Sequence, residues 1–194
     1  MSTDILLRNV RLSFNTLWTP REYEIGDGKP RWSATFLVEP GSAEDKAIRA
    51  AIQAEAVEAW KDKAKGKLAE YAGNSQKFCY VDGSPGGEPK YDGYEGRWAL
   101  TTHRQLHGKN GEQAPPLIIH RNKAPLTERD GVVYSGCYVN AKVSIYAQTG
   151  QNPGIRGSFS TIQFWAAGDA FTAGRPTADG FESAEIGTEA DEMV

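Results

Sequence analysis

Cysteine is scarce. The chain of 194 residues holds two, Cys79 and Cys137, with no CxxC spacing around either. That leaves no multi-disulfide framework, and makes buried free thiols in a reducing compartment the expectation, with a disulfide or redox pair as the alternative. Long apolar runs are missing too: no stretch approaches the ~18 residues a membrane-spanning helix needs. The opening MSTDILLRNV has no basic region followed by an apolar core and a small-residue cleavage site, so no secretory signal is expected. The fingerprints of common enzyme classes are also absent: no phosphate-binding loop, nucleophile elbow or dinucleotide motif occurs. His103 and His107 stand four apart, but the first falls in a strand-like run and the second in a loop, and no second Cys/His pair completes a tetrahedral set. Glu22, Glu24 and Asp27 cluster in a turn-rich loop, where a solvated surface is the plain reading rather than a two-metal nuclease site. Nothing argues for an enzyme, and no cofactor or metal is expected.

Basic residues are missing from one end. After Arg175 there is no Lys or Arg, whereas Asp179, Glu182, Glu185, Glu189, Asp191 and Glu192 all lie there. The net charge of −3 hides this: setting those six aside leaves 19 acidic groups against 22 basic ones, a body of net +3. The length suits one domain with a tail. We therefore divide the chain into a mildly basic body, residues 1–175, and an acidic tail, residues 176–194, expected to be flexible and to serve partner proteins.

Hydrophobic periodicity orders the body. Ile5–Phe14 reads as a first strand, with Leu6, Val10, Leu12 and Phe14 on one parity. Asn15–Arg31 is a turn-rich connection. Trp32–Val38 is a second strand, facing the core with Trp32, Ala34, Phe36 and Val38. Ser42 opens a helix, with acids in its first turn and an apolar stripe of Ile48, Ile52, Ala56, Trp60, Ala64 and Leu68, ending near Gly73. Lys61, Lys63, Lys65 and Lys67 alternate there, which on a helix spreads them over several faces as a solvated rim. A short strand and an irregular Gly/Pro loop follow to Gly96. Arg97–Arg104 is a strand with Trp98, Leu100 and Thr102 together, and Leu117–His120 is a short apolar one. Beyond Gly168 little core-forming sequence is left. One helix and about seven short strands predict a mainly β domain: an antiparallel barrel like the oligonucleotide/oligosaccharide-binding (OB) fold, with extra strands and one inserted helix.

The most informative stretch is YSGCYVNAKVSIYAQTGQNPGIRGSFSTIQF, residues 134–164. Val139, Ala141, Val143, Ile145 and Ala147 share one face of a strand; Tyr138, Asn140, Lys142, Ser144, Tyr146 and Gln148 share the other. Rings interleaved with a cation suit a surface that stacks bases and neutralises phosphate. Outward tyrosines also occur on strands through propensity alone.

The runs WSATFLVEP (32–40), YDGYEGRWAL (91–100), PPLIIHR (115–121), YSGCYVNAKVSIYA (134–147) and GIRGSFSTIQF (154–164) occur in this order. Together they resemble a family of tailed-bacteriophage single-stranded-DNA-binding proteins, over roughly Asp4 to Phe171. Tyr134, Gly136, Asn140, Ala141 and Val143 carry the most specific part of the likeness. The resemblance implies an OB-fold, ssDNA binding without sequence specificity in phage replication and recombination, and action in the cytoplasm of the infected bacterial host. It also implies an acidic tail that docks replication proteins such as a DNA polymerase or a helicase/primase. No membrane is involved, and a homodimer is left open. On this reading Tyr138 and Tyr146 offer ring faces, with Trp98 or Trp18 adding another, although Trp98 serves equally as core. Lys142, Arg97, Arg104, Arg121 and Arg156 line the phosphate path, with Arg11 and Arg31 as further cations. Gly136 and Gly157 permit close backbone approach or a bulge. Two other readings stand beside this one. A protein-only phage structural or assembly module predicts a neutral or acidic barrel face. A metal-dependent nuclease requires three or more carboxylates or histidines to converge.

Overall fold

The long alternating stretch forms two strands, β8 (Tyr138–Gln148) and β9 (Gly154–Ala166), paired antiparallel from Tyr138 opposite Ala166 to Gln148 opposite Gly154. The computed structural model describes residues 2–22, 28–108 and 111–171. In β8, Val139, Ala141, Val143 and Ile145 are buried, while Lys142 is exposed and Tyr138, Asn140, Ser144 and Tyr146 are half-buried on the opposite face. The period-two reading of this strand holds residue for residue.

Strand β1 (Thr3–Arg21) is longer than periodicity suggests and departs from simple alternation. Its register against β8 shifts between Leu7 and Val10, and against β2 (Arg31–Val38) between Ser13 and Thr16. Each irregularity adds backbone that the partner strand does not match, so a side chain changes face. Leu7, Val10, Leu12 and Leu17 are buried, whereas Leu6 is 43% and Phe14 49% exposed. The shared parity of Leu6 and Phe14 with Val10 and Leu12 is therefore corrected: the first two face out and the second two face in. The strand also runs through the first part of the expected Asn15–Arg31 connection, to Arg21.

After β2 the chain enters helix α1 (Ala43–Trp60), whose cap is Ser42: its hydroxyl accepts from the Asp45 amide at 3.1 Å. Asp45 is itself buried. One carboxylate oxygen accepts from Tyr80 Oη at 2.8 Å and Arg49 Nε at 2.7 Å, and the other from the Gly41 amide at 2.8 Å. The helix does not run unbroken to Gly73. Lys61 adopts φ 49°, a 3-10 turn covers Lys61–Lys63, and α2 (Ala64–Tyr71) follows. The break lies five residues before Gly66, whose lack of a side chain makes it a poor helix former. Lys61, Lys63 and Lys65 are exposed, as a solvated rim requires.

The remaining elements are β3 (Tyr80–Asp82), β4 (Trp98–Gln105), the two-residue pair β5 (His107–Gly108) and β6 (Gly111–Glu112), and β7 (Leu117–Ile119). The main sheet runs β3-β4-β2-β1-β8-β9-β7, with antiparallel pairs except β7 against β9, which is parallel. Its two sides curl toward each other. Phe78 bridges Ile155, the Cys79 amide donates to the Ile155 carbonyl, and Ile155 returns a bond to Lys77. At Gly157 β9 passes so close to β4 that a Cβ there would stand 3.0 Å from Thr102 Cγ2. The closure rests on these few bonds rather than on a continuous ladder, so the sheet is OB-like without being a fully closed barrel. Helix α1 packs on β1 and β8 and covers one side. Among the described residues no helix is long and apolar enough to cross a membrane. Both cysteines are free and buried, and burial pushes the Cys79 thiol up to about 12.

The loop of residues 83–97 folds back over the outer face of β2 and β4. There Leu37, Tyr94 and Ala99 form a second small core, with Val81 and Phe171 packed against it. This is why β2 is buried on both faces. The chain beyond Gly168, read from composition as having little to anchor it, is fastened as far as Phe171. Gly168 exchanges hydrogen bonds with the Tyr134 hydroxyl, and the Phe171 amide donates to the Ser135 carbonyl at 3.0 Å.

Candidate nucleic-acid interface

The outer face of β8 is flanked by β1 on one side and β9 on the other. Its middle is held by side-chain amides. Asn140 Oδ1 accepts from the Asn9 amide at 2.8 Å. Asn140 Nδ2 donates to Gln163 Oε1 at 2.9 Å, and Gln163 Nε2 donates to the Arg121 carbonyl at 3.2 Å. This chain ties three strands and the loop after β7 into one uncharged strip. Lys142 stands in the next outward place on β8, between Leu6 and Thr161, exposed to solvent. Farther along, Ser144 Oγ donates to Asp4 Oδ1 at 2.6 Å.

The two ends of the face differ. At one, Tyr138 lies opposite Arg11, whose guanidinium sits 5.5 Å from the ring centre. Arg11 also donates to the Gly136 carbonyl at 3.2 Å and the Asp169 carbonyl at 2.5 Å, and lies 4.5 Å over the ring of Phe171. Gly136, at φ 109°, makes room for this crossing: a Cβ would stand 2.1 Å from the Asp169 oxygen. At the other end Tyr146 lies opposite Arg156. Burial raises the Tyr146 phenol above its usual value, with the nearby Arg156 charge acting in the opposite sense. Arg156 donates to Gln148 Oε1, the Asn152 carbonyl and the Gln76 carbonyl, so its fork serves the protein's own loops.

The candidate residues therefore divide. Tyr138, Lys142 and Arg11 share one tract, Tyr146 and Arg156 close its far end, and Arg121 adjoins it through its backbone carbonyl, which accepts from Gln163. Arg97 borders the tract from the side. It donates to the Gly93 carbonyl at 3.0 Å, stands 4.0 Å from Glu39, and lines a cleft of about 290 Å³ with Arg8, Asn9 and Arg11. Trp98 belongs elsewhere: it packs on the core against Tyr80, with the Arg49 guanidinium of α1 4.3 Å over its ring. Trp18 likewise packs half-buried against the core. Arg104 shares the inward parity of Leu100 and Thr102 and donates to the Ala114 carbonyl at 2.8 Å. Arg31 pairs across the sheet with Arg21 and Gln105, away from β8. The tail acids from Asp179 to Glu192 lie outside the described residues. Among the described residues no three His, Cys, Asp or Glu side chains are grouped to hold a metal.

Residue-by-residue reasoning missed a second aromatic group. Phe14, Tyr91 and Tyr94 meet edge to face, with ring centres 4.6, 6.2 and 5.3 Å apart, and Tyr91 is 50% exposed. Simple alternation puts Phe14 on one parity with Val10 and Leu12, which hides it from this group. The repeated tyrosine of YDGYEG was the available signal.

Comparison with known proteins settles the relationship. The sequence profile of the family described as Enterobacter phage Enc34, ssDNA-binding protein, matches residues 3–194. The chain belongs to this family. A member of the Enc34 ssDNA-binding family is thus a binding protein by descent, not an enzyme. A further relative is Putative protein p50 of Acyrthosiphon pisum secondary endosymbiont phage 1, 38% identical over 173 residues, which are 88% of this chain and 87% of that protein. Among solved structures, the single-stranded DNA-binding protein from bacteriophage Enc34 in complex with ssDNA superimposes with a TM-score of 0.64 at 20% identity, covering 87% of this chain and 89% of that one. The single-stranded DNA-binding protein gp2.5 of bacteriophage T7 gives a TM-score of 0.53 at 8% identity, covering 95% and 100%. At these identities the two structures establish a shared fold.

Proposed function

We propose that this protein binds and protects single-stranded DNA, without sequence specificity, during phage DNA replication and recombination inside the infected bacterial cell. The observation that carries the mechanism is the outer face of β8 and its neighbours, where Tyr138 and Tyr146 bracket Lys142, with Arg11 and Arg121 alongside. Ring faces accept any base, and stacking contributes roughly 1–3 kcal/mol per base. Cations beside them neutralise phosphates and release counterions, which makes affinity fall with salt. The central Asn9–Asn140–Gln163 amides spend part of their hydrogen-bonding capacity on one another, which favours a strip that supports the strand over one built to read a base edge. The acidic tail, residues 176–194, docks replication proteins such as a polymerase or a helicase/primase, its carboxylates meeting a basic surface and its few apolar residues a shallow pocket.

The test is protection. Oligonucleotides of several unrelated sequences, saturated with the protein, are digested with a single-strand-specific nuclease. Similar protection of all of them supports the proposal. Protection confined to one sequence, or to none, overturns it.

A further inference from the structure

We infer that the cleft between Phe14 and Tyr91 on one wall and Tyr134, Ser135 and Phe171 on the other takes one unstacked base of the bound strand. The inference rests on the ssDNA reading above and adds a subsite that lies off the β8 face. The cleft measures about 310 Å³, the size of a small ligand site.

The backbone of Phe14 points to a use. Phe14 sits at φ 39°, where a bulky L-residue is strained and a glycine is not. Strain of that kind persists where something is gained from it. Burial is a poor candidate for the gain, because the ring is 49% exposed. What the conformation achieves is to place the Phe14 ring beside that of Tyr91, itself 50% exposed, at the mouth of a cleft.

The surroundings choose the occupant. Polar atoms in the far wall are engaged: the Tyr134 hydroxyl with Gly168, and Ser135 Oγ with Asn15 Nδ2 at 3.2 Å. A ligand against that wall gains ring contact more than hydrogen bonds, and Asp92, which also lines the cleft, favours the uncharged base over its phosphate as the inserted group. Phe171 lines the cleft, and the Arg11 guanidinium lies over its ring at 4.5 Å. The same guanidinium lies 5.5 Å from the centre of the Tyr138 ring, so the cleft adjoins the β8 tract, and the N–H groups that Gly136 and Asp169 do not use are a partner for the phosphate next to an inserted base. A strand following β8 past Tyr138 and Arg11 arrives at this cleft.

The experiment uses the full chain, an oligonucleotide of mixed sequence carrying 5-iodouracil at several positions, and two variants, Phe14→Gly and Tyr91→Ala. Affinity, thermal midpoint and photo-cross-linked peptides are measured. The inference predicts cross-links to the peptides containing Phe14 or Tyr91. It predicts roughly ten-fold weaker ssDNA binding by each variant. The Phe14→Gly midpoint is expected to be equal to wild type or higher, because the strained conformation suits glycine. Wild-type affinity in both variants, or cross-links confined to β8 and β9, overturns the subsite while leaving the ssDNA reading intact. Tighter binding by the variants overturns it in favour of the chain's own segment after Phe171 as occupant. A sharply lowered Phe14→Gly midpoint overturns the strain argument, and Tyr91→Ala then decides the base contact alone. A wild-type chain that binds no ssDNA overturns the underlying reading and the subsite with it.

Discussion

The guanidinium of Arg11 lies 4.5 Å over the ring of Phe171, joining the first strand to the last described residue of the chain. The same group donates to the carbonyls of Gly136 and Asp169, so it is both a cation of the proposed DNA tract and a fastener for the segment that leads into the acidic tail. The two roles separate by chemistry. Arg11→Lys keeps the charge but loses the planar fork. It is expected to preserve most of the salt dependence of ssDNA binding while lowering thermal stability. Arg11→Ala is expected to lose both, with the magnitude of the salt slope reduced by about one unit. Salt-dependent titrations and thermal melts of the two variants check this.

Lys142 and Arg156 offer the cleaner contrast. Lys142 is exposed, whereas Arg156 holds three acceptors from its own strand pair and neighbouring loops. Lys142→Ala is expected to leave the melting midpoint unchanged and to reduce the magnitude of the salt slope by about one unit. Arg156→Ala is expected to destabilise the fold by about 1 kcal/mol, because it removes the hydrogen bonds that tie the hairpin to the loop at Gln76. Denaturant unfolding alongside binding at several salt concentrations distinguishes them.

Asp45 gives the pH prediction. Burial on its own raises a carboxyl pKa, but the Gly41 amide, the Tyr80 hydroxyl and Arg49 together hold this one below the ordinary value. A depressed folded-state pKa means that the contribution is complete above the unfolded pKa of ~3.9 and is lost as pH falls through the folded value. Asp45→Asn is expected to be less stable than wild type by on the order of 2 kcal/mol at pH 7. The gap is expected to narrow below about pH 4. Unfolding free energies at pH 7 and pH 3 provide the check.

The acidic tail supplies another. Its six carboxylates compete with ssDNA for the same cations if they reach the body. Deleting Thr177–Val194 is expected to leave the melting midpoint unchanged and to strengthen ssDNA affinity at low salt, with the gain shrinking as salt screens the attraction. The deletion is also expected to abolish recruitment of a replication polymerase in a pull-down. Unchanged affinity at every salt removes the competition; retained recruitment removes the docking role.

How far the sequence could be read follows from backbone regularity. β8 is legible because its residues alternate without interruption, so spacing alone puts Lys142 and Tyr138 on the face opposite the buried one. The Ser42 cap was legible because capping is local. β1 was not, because period-two reasoning has no means of locating an irregularity, and the shift around Asn9 and the positive φ of Phe14 move Leu6 and Phe14 outside. Trp98 was ambiguous in sequence since both a stacking platform and a core residue need a large ring; the packing of α1 through Arg49 decided it. Arg156 and Arg104 cannot be sorted from free cations in sequence, because most of their acceptors are backbone carbonyls of loops and turns, Gln76 and Asn152 for one and Ala114 for the other, which leave no side-chain signature.

The central claim is that the body prefers single strands, through ring contacts that a duplex keeps stacked away from it. A gel-shift titration of one oligonucleotide, single-stranded and annealed to its complement, at low and moderate salt, tests it most directly. The account predicts tight binding of the single strand, weakened as salt rises, and much poorer binding of the duplex at moderate salt. Equal affinity for the two forms at moderate salt contradicts it.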